Sequence, residues 1–412
     1  MLGMFGRSMR RAALIAASAL CMPLMTGCWD RVEIEDRAIV LGVSIDKAPA
    51  QTASQEDDVS HKSDSKMPPN TDMIRMAAQI ALPGRIPLGP GESGGSGSGD
   101  PQQTVWVIDV VGHSVEDAFT NMQQQLSSRI FLGHLRVIVV SEEMARLGLE
   151  NVNDYFHRDS EVRRMAWLMV SKGPAIELLK AGPKLERIPA LYLMTTLDES
   201  IRTGKFPQDY IGIYWARKAK LGQEGFLPYV EMKKEQNIEI KGLALFRNAQ
   251  MVGETDPLDI GSFMALRGVN PGGYTTYVQA AGNFFMVNVT HRESKVKVSI
   301  RDGRPYFSFD LGLEFNLREK LNDSASLENM NVIKEIEATL KKNAEQLTLE
   351  MLKKTQALGS DILGLGEYVR AREPRYWNTH VKTKDRWQLA YKDIGYEIHI
   401  DTRIRRIGMK AK

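Results

Sequence analysis

The chain has 412 residues, a formal net charge of +3 at pH 7 and 43% hydrophobic residues. This length predicts two or three domains, and the apolar content is ordinary for globular folds. The small net charge argues against a nucleic-acid-binding protein, for which a strong basic excess is expected. Neither composition nor charge indicates an activity.

The first residues are typical of a secretory signal peptide. Three arginines, Arg7, Arg10 and Arg11, precede an apolar run over residues 12–24. This run is shorter than the roughly 20 apolar residues that a membrane-spanning helix requires. It therefore predicts a lipoprotein signal peptide over residues 1–27 instead of a span.

A lone cysteine follows this segment. Thr26 and Gly27 are small residues that precede Cys28, as in a bacterial lipobox, with Met25 where leucine is usual. The second cysteine of the chain, Cys21, lies in the part that would be removed, so the mature chain has no intramolecular disulfide. Acylation explains such a cysteine, because more than one acyl chain gives durable membrane anchoring. We predict a lipoprotein on the outer face of a cytoplasmic membrane; a plain exported protein with a free or buried cysteine is the alternative.

Residues 28–200 are predicted to form an α/β domain with a mixed sheet. Alternating segments predict strands at 38–45, 73–82, 104–112, 131–140 and 163–171, and helices at 113–129, 141–158 and 175–181. The polar stretch 47–72 and the glycine- and serine-rich stretch 89–103 are predicted to be flexible loops inserted into this sheet. Long insertions of this kind cost little when their ends stay close together.

Residues 201–236 mix aromatic residues, glycines and prolines, and are predicted to form a connecting region or a small middle lobe. If its aromatic residues are exposed, this region is the first candidate for a partner surface. The candidate residues are Phe206, Tyr210, Tyr214, Trp215 and Phe226.

Residues 237–412 are predicted to form a domain of antiparallel sheet plus one long amphipathic helix, so the fold class is α+β. A hairpin at 238–256 and a run of strands at 274–320 precede a helix over 327–358. The apolar stripe of this helix has spacings of 3 and 4 and contains Ile333, Ile336, Leu340, Ala344, Leu347 and Met351. A last strand at 396–409 ends basic.

The sequence contains no pattern that predicts a catalytic, cofactor or metal site. Ser63 and Lys66 fit an SxxK pattern but fall in a polar loop, and the seven histidines lack metal-ligand spacing. Neighbouring carboxylates at 33, 35 and 36 are more typical of a solvated face than of a catalytic pair. The basic C-terminal residues are interpreted as a solvated strand edge, with contact to anionic lipid headgroups as the alternative: Arg403, Arg405, Arg406 and Lys410.

Segments at both ends and in the second half resemble the Ger(x)C family of spore germination lipoproteins. GCWDRVEIEDRAIVLGVSID is similar to the N-terminal pattern of the family, with Cys28, Trp29, Asp30, Ala38, Val40, Gly42 and Asp46 at the matching positions. KGLALFRNAQMVG and the closing IDTRIRRIGM resemble two further family segments. SDILGLGEYVRAREPRYW resembles a third, with matches at Asp361, Gly364, Gly366, Glu367, Pro374 and Trp377.

The resemblance implies the C subunit of a nutrient germinant receptor, on the outer surface of the inner membrane of an endospore. Cys28 would carry N-palmitoyl and S-diacylglycerol groups, and Trp29 and Asp30 would form a membrane-proximal motif. The implied partners are membrane lipid and two integral-membrane subunits, an A-type and a transporter-like B-type. Their complex would respond to amino acids or sugars, and no catalytic activity or cofactor is implied.

Two other classes of tethered protein compete with this interpretation. A solute-binding lipoprotein of an uptake system needs two α/β lobes around a cleft, and the antiparallel strands after Tyr274 argue against a second such lobe. A tethered cell-wall enzyme needs a nucleophile with its base, or a metal site.

Overall fold

The structure is a computed structural model that describes residues 36–49, 73–82, 104–181, 186–234, 237–321 and 329–408. The predicted signal peptide, Cys28, Trp29, Asp30 and the predicted loop 89–103 lie outside these residues, as does most of the predicted loop 47–72. No helix in the described ranges is both long enough and apolar enough to cross a membrane.

A mixed sheet of nine strands organises the first part of the described chain. Its strands are β1 (Arg37–Lys47), β2 (Ile74–Ala81), β3 (Val105–Gly112), β4 (Arg129–Phe131), β5 (Val137–Ser141), β6 (Trp167–Ser171), β7 (Phe226–Met232), β8 (Ile238–Arg247) and β9 (Gln250–Glu254). Their order is β3-β2-β1-β5-β6-β7-β8-β9, and β4 also pairs with β1. The central strands are parallel and the outer pairs antiparallel, which confirms the predicted mixed sheet.

Helices cover both faces of this sheet. They are α1 (Val115–Gln123), α2 (Glu142–Leu147), α3 (Glu150–Arg158), α4 (Ala175–Lys180), α5 (Pro189–Arg202) and α6 (Ile211–Lys218). Apolar residues of α1, α2, α3 and α6 belong to one core, and those of α4 and α5 belong to another. Strand β1 contributes to both, because successive side chains of a strand point to opposite faces. Its Ala38 and Val40 join the first core, whereas Ile39 and Leu41 join the second.

Two elements predicted as continuous are divided in the structure. The predicted strand 131–140 is interrupted between β4 and β5 by a turn in which the amide of Leu135 donates to the carbonyl oxygen of Leu132. The predicted helix 141–158 forms α2 and α3, because Gly148 ends α2 with a φ of 129°. Glycine adopts this positive φ without the steric cost that a side chain brings.

Residues 201–236 form part of the large sheet, not a lobe of their own. They contain α6 and β7, and β7 lies between β6 and β8. The first five residues of β7 are buried, as expected for a strand covered on both faces. The hairpin β8–β9, which the sequence assigns to the C-terminal domain, continues the same sheet.

A second sheet of four strands follows in the described part of the chain. Its strands, in spatial order, are β10 (Thr275–Ala280), β11 (Asn283–Arg301), β12 (Arg304–Lys320) and β13 (Gly395–Arg406). The first three are antiparallel, as predicted, and Asp302 and Gly303 form the β11–β12 turn with φ values of 49° and 74°. The last strand departs from the prediction, because β13 pairs parallel to β12.

One helix, α7 (Pro257–Leu266), lies between β9 and β10. The other helices of the described chain occupy the crossover between β12 and β13: α8 (Met330–Leu358), α9 (Leu365–Arg372), α10 (Pro374–Tyr376) and α11 (Lys384–Tyr391), with a π-helical turn at Trp377–Val381. In α8, Ile336 and Met351 of the predicted stripe are fully buried. Parallel strands require a long crossover connection, and α8 to α11 supply it, so β13 can run in the same direction as β12.

Candidate functional site

Two positions of the N-terminal family motif, Gly42 and Asp46, hold neighbouring helices against β1. A Cβ atom on Gly42 would lie 2.9 Å from Leu179 Cδ2 and 3.0 Å from Ala190 Cβ, so a side chain would displace α4 and α5. Asp46, at the end of β1, accepts hydrogen bonds from the amides of Ala175 at 2.6 Å and Ile176 at 3.0 Å. Burial raises the pKa of Asp46, while these two amides act in the opposite direction. The motif therefore fixes α4 against β1.

A cavity of about 560 Å³ opens at the carboxyl ends of β1, β5 and β6. Ligands of open α/β sheets bind at this edge, where neighbouring connections leave to opposite faces. The charged side chains that line the cavity are already paired. Lys47 lies 3.3 Å from Glu143, and Arg146 lies 2.7 Å from Glu142. Arg75, the third cation, lies 2.6 Å from Asp109. Each of these cations therefore has a carboxylate partner within the chain, and the pairs join neighbouring elements.

The predicted partner surface does not meet its condition of exposure. Phe206, Tyr214 and Phe226 are buried, at 1%, 0% and 0% exposure, because each of them packs into one of the two cores. The other two are half-buried and hydrogen-bonded inward: the hydroxyl of Tyr210 donates to Asp198, and Nε1 of Trp215 donates to Asn153 at 3.1 Å. These aromatic residues stabilise the part of the chain that contains the large sheet, residues 36–254, which we call the first unit, and they offer little area to a partner.

The family motif in the second half forms a buried turn around Asp361. Asp361 is 1% exposed, and its carboxylate accepts hydrogen bonds from the amides of Gly364 at 2.8 Å and Gly366 at 2.9 Å. Nε1 of Trp387, on α11, donates a third bond at 2.9 Å. Burial raises the pKa of Asp361 to about 6, and the donors limit the rise because they stabilise the charged form. Gly364 permits the turn through its φ of 75°.

This turn is bonded directly to the chain just before β7, and we call the contact the Asp361 junction. Its members are Gly222, Glu224, Asp361, Gly364, Gly366, Glu367 and Trp387. The amide of Gly222 donates to Glu367 Oε1 at 2.8 Å, and the amide of Glu224 donates to the carbonyl oxygen of Asp361 at 2.8 Å. A Cβ atom on Gly222 would lie 2.3 Å from the carbonyl carbon of Gly366, so the two backbones touch. The junction thus joins the large sheet to the helices of the second half.

Glu224 extends the junction to α11. Its buried carboxylate lies 3.1 Å from Lys384 Nζ, and it accepts hydrogen bonds from Gln388 Nε2 at 2.7 Å and the amide of Asn248 at 2.9 Å. Burial raises the pKa of Glu224, and the nearby Lys384 acts in the opposite direction. One carboxylate therefore bonds a lysine and a glutamine of α11 together with the β8–β9 turn.

A second contact between the two halves is formed by Arg292 of β11. Its guanidinium, 2% exposed, donates to the carbonyl oxygens of Val269 at 2.9 Å, Pro271 at 3.0 Å and Gly204 at 3.4 Å. Gly204 follows α5, so this bond reaches the first unit. Among the described residues no carboxylate forms an ion pair with Arg292. Burial lowers the pKa of Arg292 to about 10.

The Asp361 junction and the Arg292 contact are suited to holding the two halves of the chain in one arrangement. Within the described ranges, no group of three or more His, Cys, Asp or Glu residues could hold a metal ion. The family positions Asp361, Gly364, Gly366 and Glu367 come together at the Asp361 junction, and Trp377 packs beside Trp387 with ring centroids 5.9 Å apart. Sequence reasoning missed Glu224 and Arg292, because a single charged residue carries no mark of burial.

Comparisons with known proteins agree with this architecture. The family model described as "Spore germination protein N-terminal domain" matches residues 30–232, and "Spore germination B3/ GerAC like, C-terminal" matches residues 241–408. The chain is 24% identical to spore germination protein KC of Bacillus subtilis (strain 168), over 97% of each chain. It is 21% identical to spore germination protein B3 of the same organism, over 98% of this chain and 100% of the relative.

A solved structure has the same fold. The crystal structure of the GerBC protein is similar with a TM-score of 0.54 and 19% identity, and the match covers 82% of this chain and 95% of that one. The two family matches together span most of the chain, in the order of the two halves. The chain belongs to the Ger(x)C family of spore germination proteins.

Proposed function

We propose that this protein is the C subunit of a nutrient germinant receptor and acts as a non-catalytic scaffold. The extent of the family match is the observation that carries the proposal. The first family model begins at residue 30, directly after the Cys28-Trp29 pair, and the second ends at residue 408. The predicted acylation site therefore stands immediately before the family domain. In this proposal, acylated Cys28 holds the chain on the outer face of the spore inner membrane.

A scaffold role fits the way in which the two halves are joined. The Asp361 junction and the Arg292 contact both use buried hydrogen bonds to backbone groups, which fix the halves at defined points. A lipid anchor then raises the local concentration of this body near two integral-membrane partners, so weak contacts suffice for assembly. The complex as a whole responds to amino acids or sugars.

The competing interpretation, a solute-binding lipoprotein, has less support. Such a protein needs a second α/β lobe that closes over a cleft, whereas the second half here carries a four-stranded sheet with one long helix. The cavity at β1, β5 and β6 has its charged side chains paired internally. Both observations favour a scaffold over a solute-binding lipoprotein.

Spores that lack this gene provide the test. They are challenged with a panel of amino acids and sugars, and dipicolinate release is followed. We expect loss of the response to one nutrient set, with recovery when the wild-type gene is returned. An unchanged response to every nutrient, together with no gain when the gene is overexpressed with its operon neighbours, contradicts the receptor role.

Two cysteine variants separate anchoring from the rest of the function. Cys28→Ala is expected to leave the membrane fraction and to fail to restore germination. Cys21→Ala is the matched control, because this cysteine lies in the predicted signal peptide, and it should restore both properties. Membrane retention of Cys28→Ala after residues 1–27 have been cleaved off would show that the anchor is not this cysteine.

A further inference from the structure

Arginine residues mark the amino-terminal ends of neighbouring parallel strands in the large sheet. Arg37 begins β1, Arg136 directly precedes β5, and Arg163 and Arg164 lie shortly before β6. We call these four residues the arginine edge. Arg163 and Arg164 are exposed, and they are followed by Met165, which is 70% exposed. Met165 thus places an exposed apolar side chain directly beside two exposed arginines.

Contacts place the arginine edge on one surface. The Arg37 guanidinium lies 4.3 Å from the centroid of the Phe131 ring, and that ring lies 5.8 Å from the His134 ring. The amide of Trp167, three residues after Arg164, donates to the carbonyl oxygen of Arg136 at 2.8 Å, so the start of β6 lies beside Arg136. Burial lowers the pKa of His134, and the charges of Arg136 and Arg163 act in the same direction. The amide of Arg136 donates to the carbonyl oxygen of Leu41 in β1. Because Leu41 is four residues after Arg37, the backbones of Arg37 and Arg136 are separated by about 13 Å along this strand.

The positive charge of this edge is poorly compensated. Within the described ranges, Arg136, Arg163 and Arg164 form no ion pair. Asp36 is adjacent to Arg37 in the sequence. The carboxylates of Glu116 and Asp159 line a separate cavity with the neighbouring Arg129. Glu161 lies at the arginine edge, because its Oε2 accepts a hydrogen bond from the amide of Leu132 at 2.9 Å. Four arginines against Asp36 and Glu161 leave the described part of this edge with an excess of positive charge.

We propose that the arginine edge docks on an anionic lipid bilayer. Its arginines contact the anionic headgroups, and Met165, directly after Arg163 and Arg164, inserts its apolar side chain into the lipid interface. The inference rests on the proposed function, because the acylated Cys28 supplies the tether. Eight residues lie between Cys28 and Arg37 in the sequence. They can span at most about 30 Å, so this end of the sheet stays near the membrane. An anionic surface attracts arginines within a Debye length of about 8 Å, and an exposed apolar side chain adds contact with lipid.

Vesicle binding tests the inference without acylation. The probe protein is the mature chain from residue 28 with Cys28→Ser, which keeps every described residue. It is sedimented with vesicles rich in phosphatidylglycerol or made of phosphatidylcholine alone. We expect binding to the anionic vesicles that salt weakens, because salt screens exposed charges. The double variant R163Q/R164Q should bind about 25-fold more weakly, at about fivefold for each arginine near the surface.

The matched control removes two exposed arginines elsewhere. R372Q/R375Q changes net charge by the same amount, at exposed positions of α9 and α10, and should leave vesicle binding unchanged. Equal melting temperatures of all variants exclude unfolding as the cause. Equal binding by R163Q/R164Q and the parent, or no preference for phosphatidylglycerol, overturns the proposal.

A protein partner at the same surface would give another result. If the parent ignores anionic vesicles, yet R163Q/R164Q spores lose germination at normal receptor levels, the arginine edge binds protein and the lipid proposal is wrong. Failure of the proposed function is seen separately, in the gene deletion and in Cys28→Ala. Vesicle binding needs neither nutrient nor acyl chain, so it can succeed when those tests fail.

Discussion

Two buried charges that have no counter-ion among the described residues join the halves of this protein, and they are stabilised in opposite ways. Asp361 is an anion held by the amides of Gly364 and Gly366 and by the indole of Trp387. Arg292 is a cation held by carbonyl oxygens, including that of Gly204 in the first unit. In both cases backbone dipoles replace the opposite charge, because a buried charge must be hydrogen-bonded to be tolerated.

The difference between them is where their partners come from. Asp361 bonds amides three and five residues ahead of it, so most of its site is one local turn. Arg292 takes an acceptor 88 residues away, so its site exists only after both halves have packed. The first arrangement leaves a motif of an aspartate and glycines in the sequence, and the second leaves only a single arginine.

The largest expected effect comes from removing the anion. Asp361→Ala leaves the amides of Gly364 and Gly366 and the Trp387 indole without an acceptor. Each unsatisfied buried donor costs about 1–3 kcal/mol, so the free energy of unfolding should fall by about 4 kcal/mol. Urea denaturation measures it. Asp401→Ala, at an exposed position of β13, is the control and should cost less than about 1 kcal/mol. A loss below about 1 kcal/mol for Asp361→Ala would show that water replaces the carboxylate.

A third buried charge sharpens the comparison, because Asp209 does have a counter-ion. Asp209 is ion-paired with Arg217, yet its Oδ2 has no hydrogen-bond partner among the described residues. Burial raises the pKa of Asp209 to about 7, against the effect of Arg217, while Asp361 with several N–H donors reaches only about 6. Burial thus raises the pKa of both carboxylates, although N–H donors surround Asp361 and a guanidinium faces Asp209.

Asp209 should therefore make stability depend on pH. Its pKa is higher in the folded chain than in the unfolded chain, where it is about 3.9. The folded state holds a proton that the unfolded state releases, so this contribution is present below about pH 4 and is lost as the pH rises towards 7. The expected loss is about 1.4 kcal/mol per pH unit between pH 5 and 6.5.

Asp209→Asn isolates this effect, because asparagine stays neutral at every pH. Urea denaturation at several pH values should show a flatter profile for the variant than for the wild type. The exposed Asp154→Asn should keep the wild-type slope between pH 5 and 6.5. Parallel profiles for wild type and Asp209→Asn would mean that Arg217 keeps Asp209 ionised throughout.

Removal of the cation should cost less than removal of the anion. Arg292→Met leaves the carbonyl oxygens of Val269, Pro271 and Gly204 without their donor, but methionine fills much of the space. A carbonyl with an unused lone pair is tolerated better than an orphaned N–H, and the desolvation cost of the charge disappears. We expect a loss of about 2 kcal/mol by urea denaturation. A loss as large as that of Asp361→Ala would refute the difference between the two charges.

The sequence indicates most of the fold, because its signals are local. The period of strands and helices predicts the mixed sheet, and spacings of 3 and 4 predict α8, whose Ile336 and Met351 are buried. Strand direction and sheet membership are less accessible. The parallel course of β13 and the place of β7 in the large sheet depend on long-range pairing, which periodicity does not encode.

The site follows the same rule. The glycines around Asp361 suggest a tight turn, and the structure shows that Gly366 is also needed because the backbone of Gly222 touches it. Aromatic residues at 206, 214 and 226 suggested a surface but are buried, since composition alone does not tell a core from an interface. Glu224 and Arg292 acquire their roles only through partners from distant parts of the chain.

The smallest expected loss of stability comes from removing the counter-ion of a buried carboxylate that also has N–H donors. Lys384→Met removes the cation beside Glu224 but keeps the donors from Gln388 and Asn248. Glu224 then resembles Asp361, so we expect a loss of about 1 kcal/mol at pH 7. The loss should shrink at lower pH, because the raised pKa of Glu224 rises further without Lys384 and protonation removes the buried charge. Lys382→Met, at an exposed position before α11, is the control. A loss near 4 kcal/mol would mean that amide donors alone do not hold a buried carboxylate.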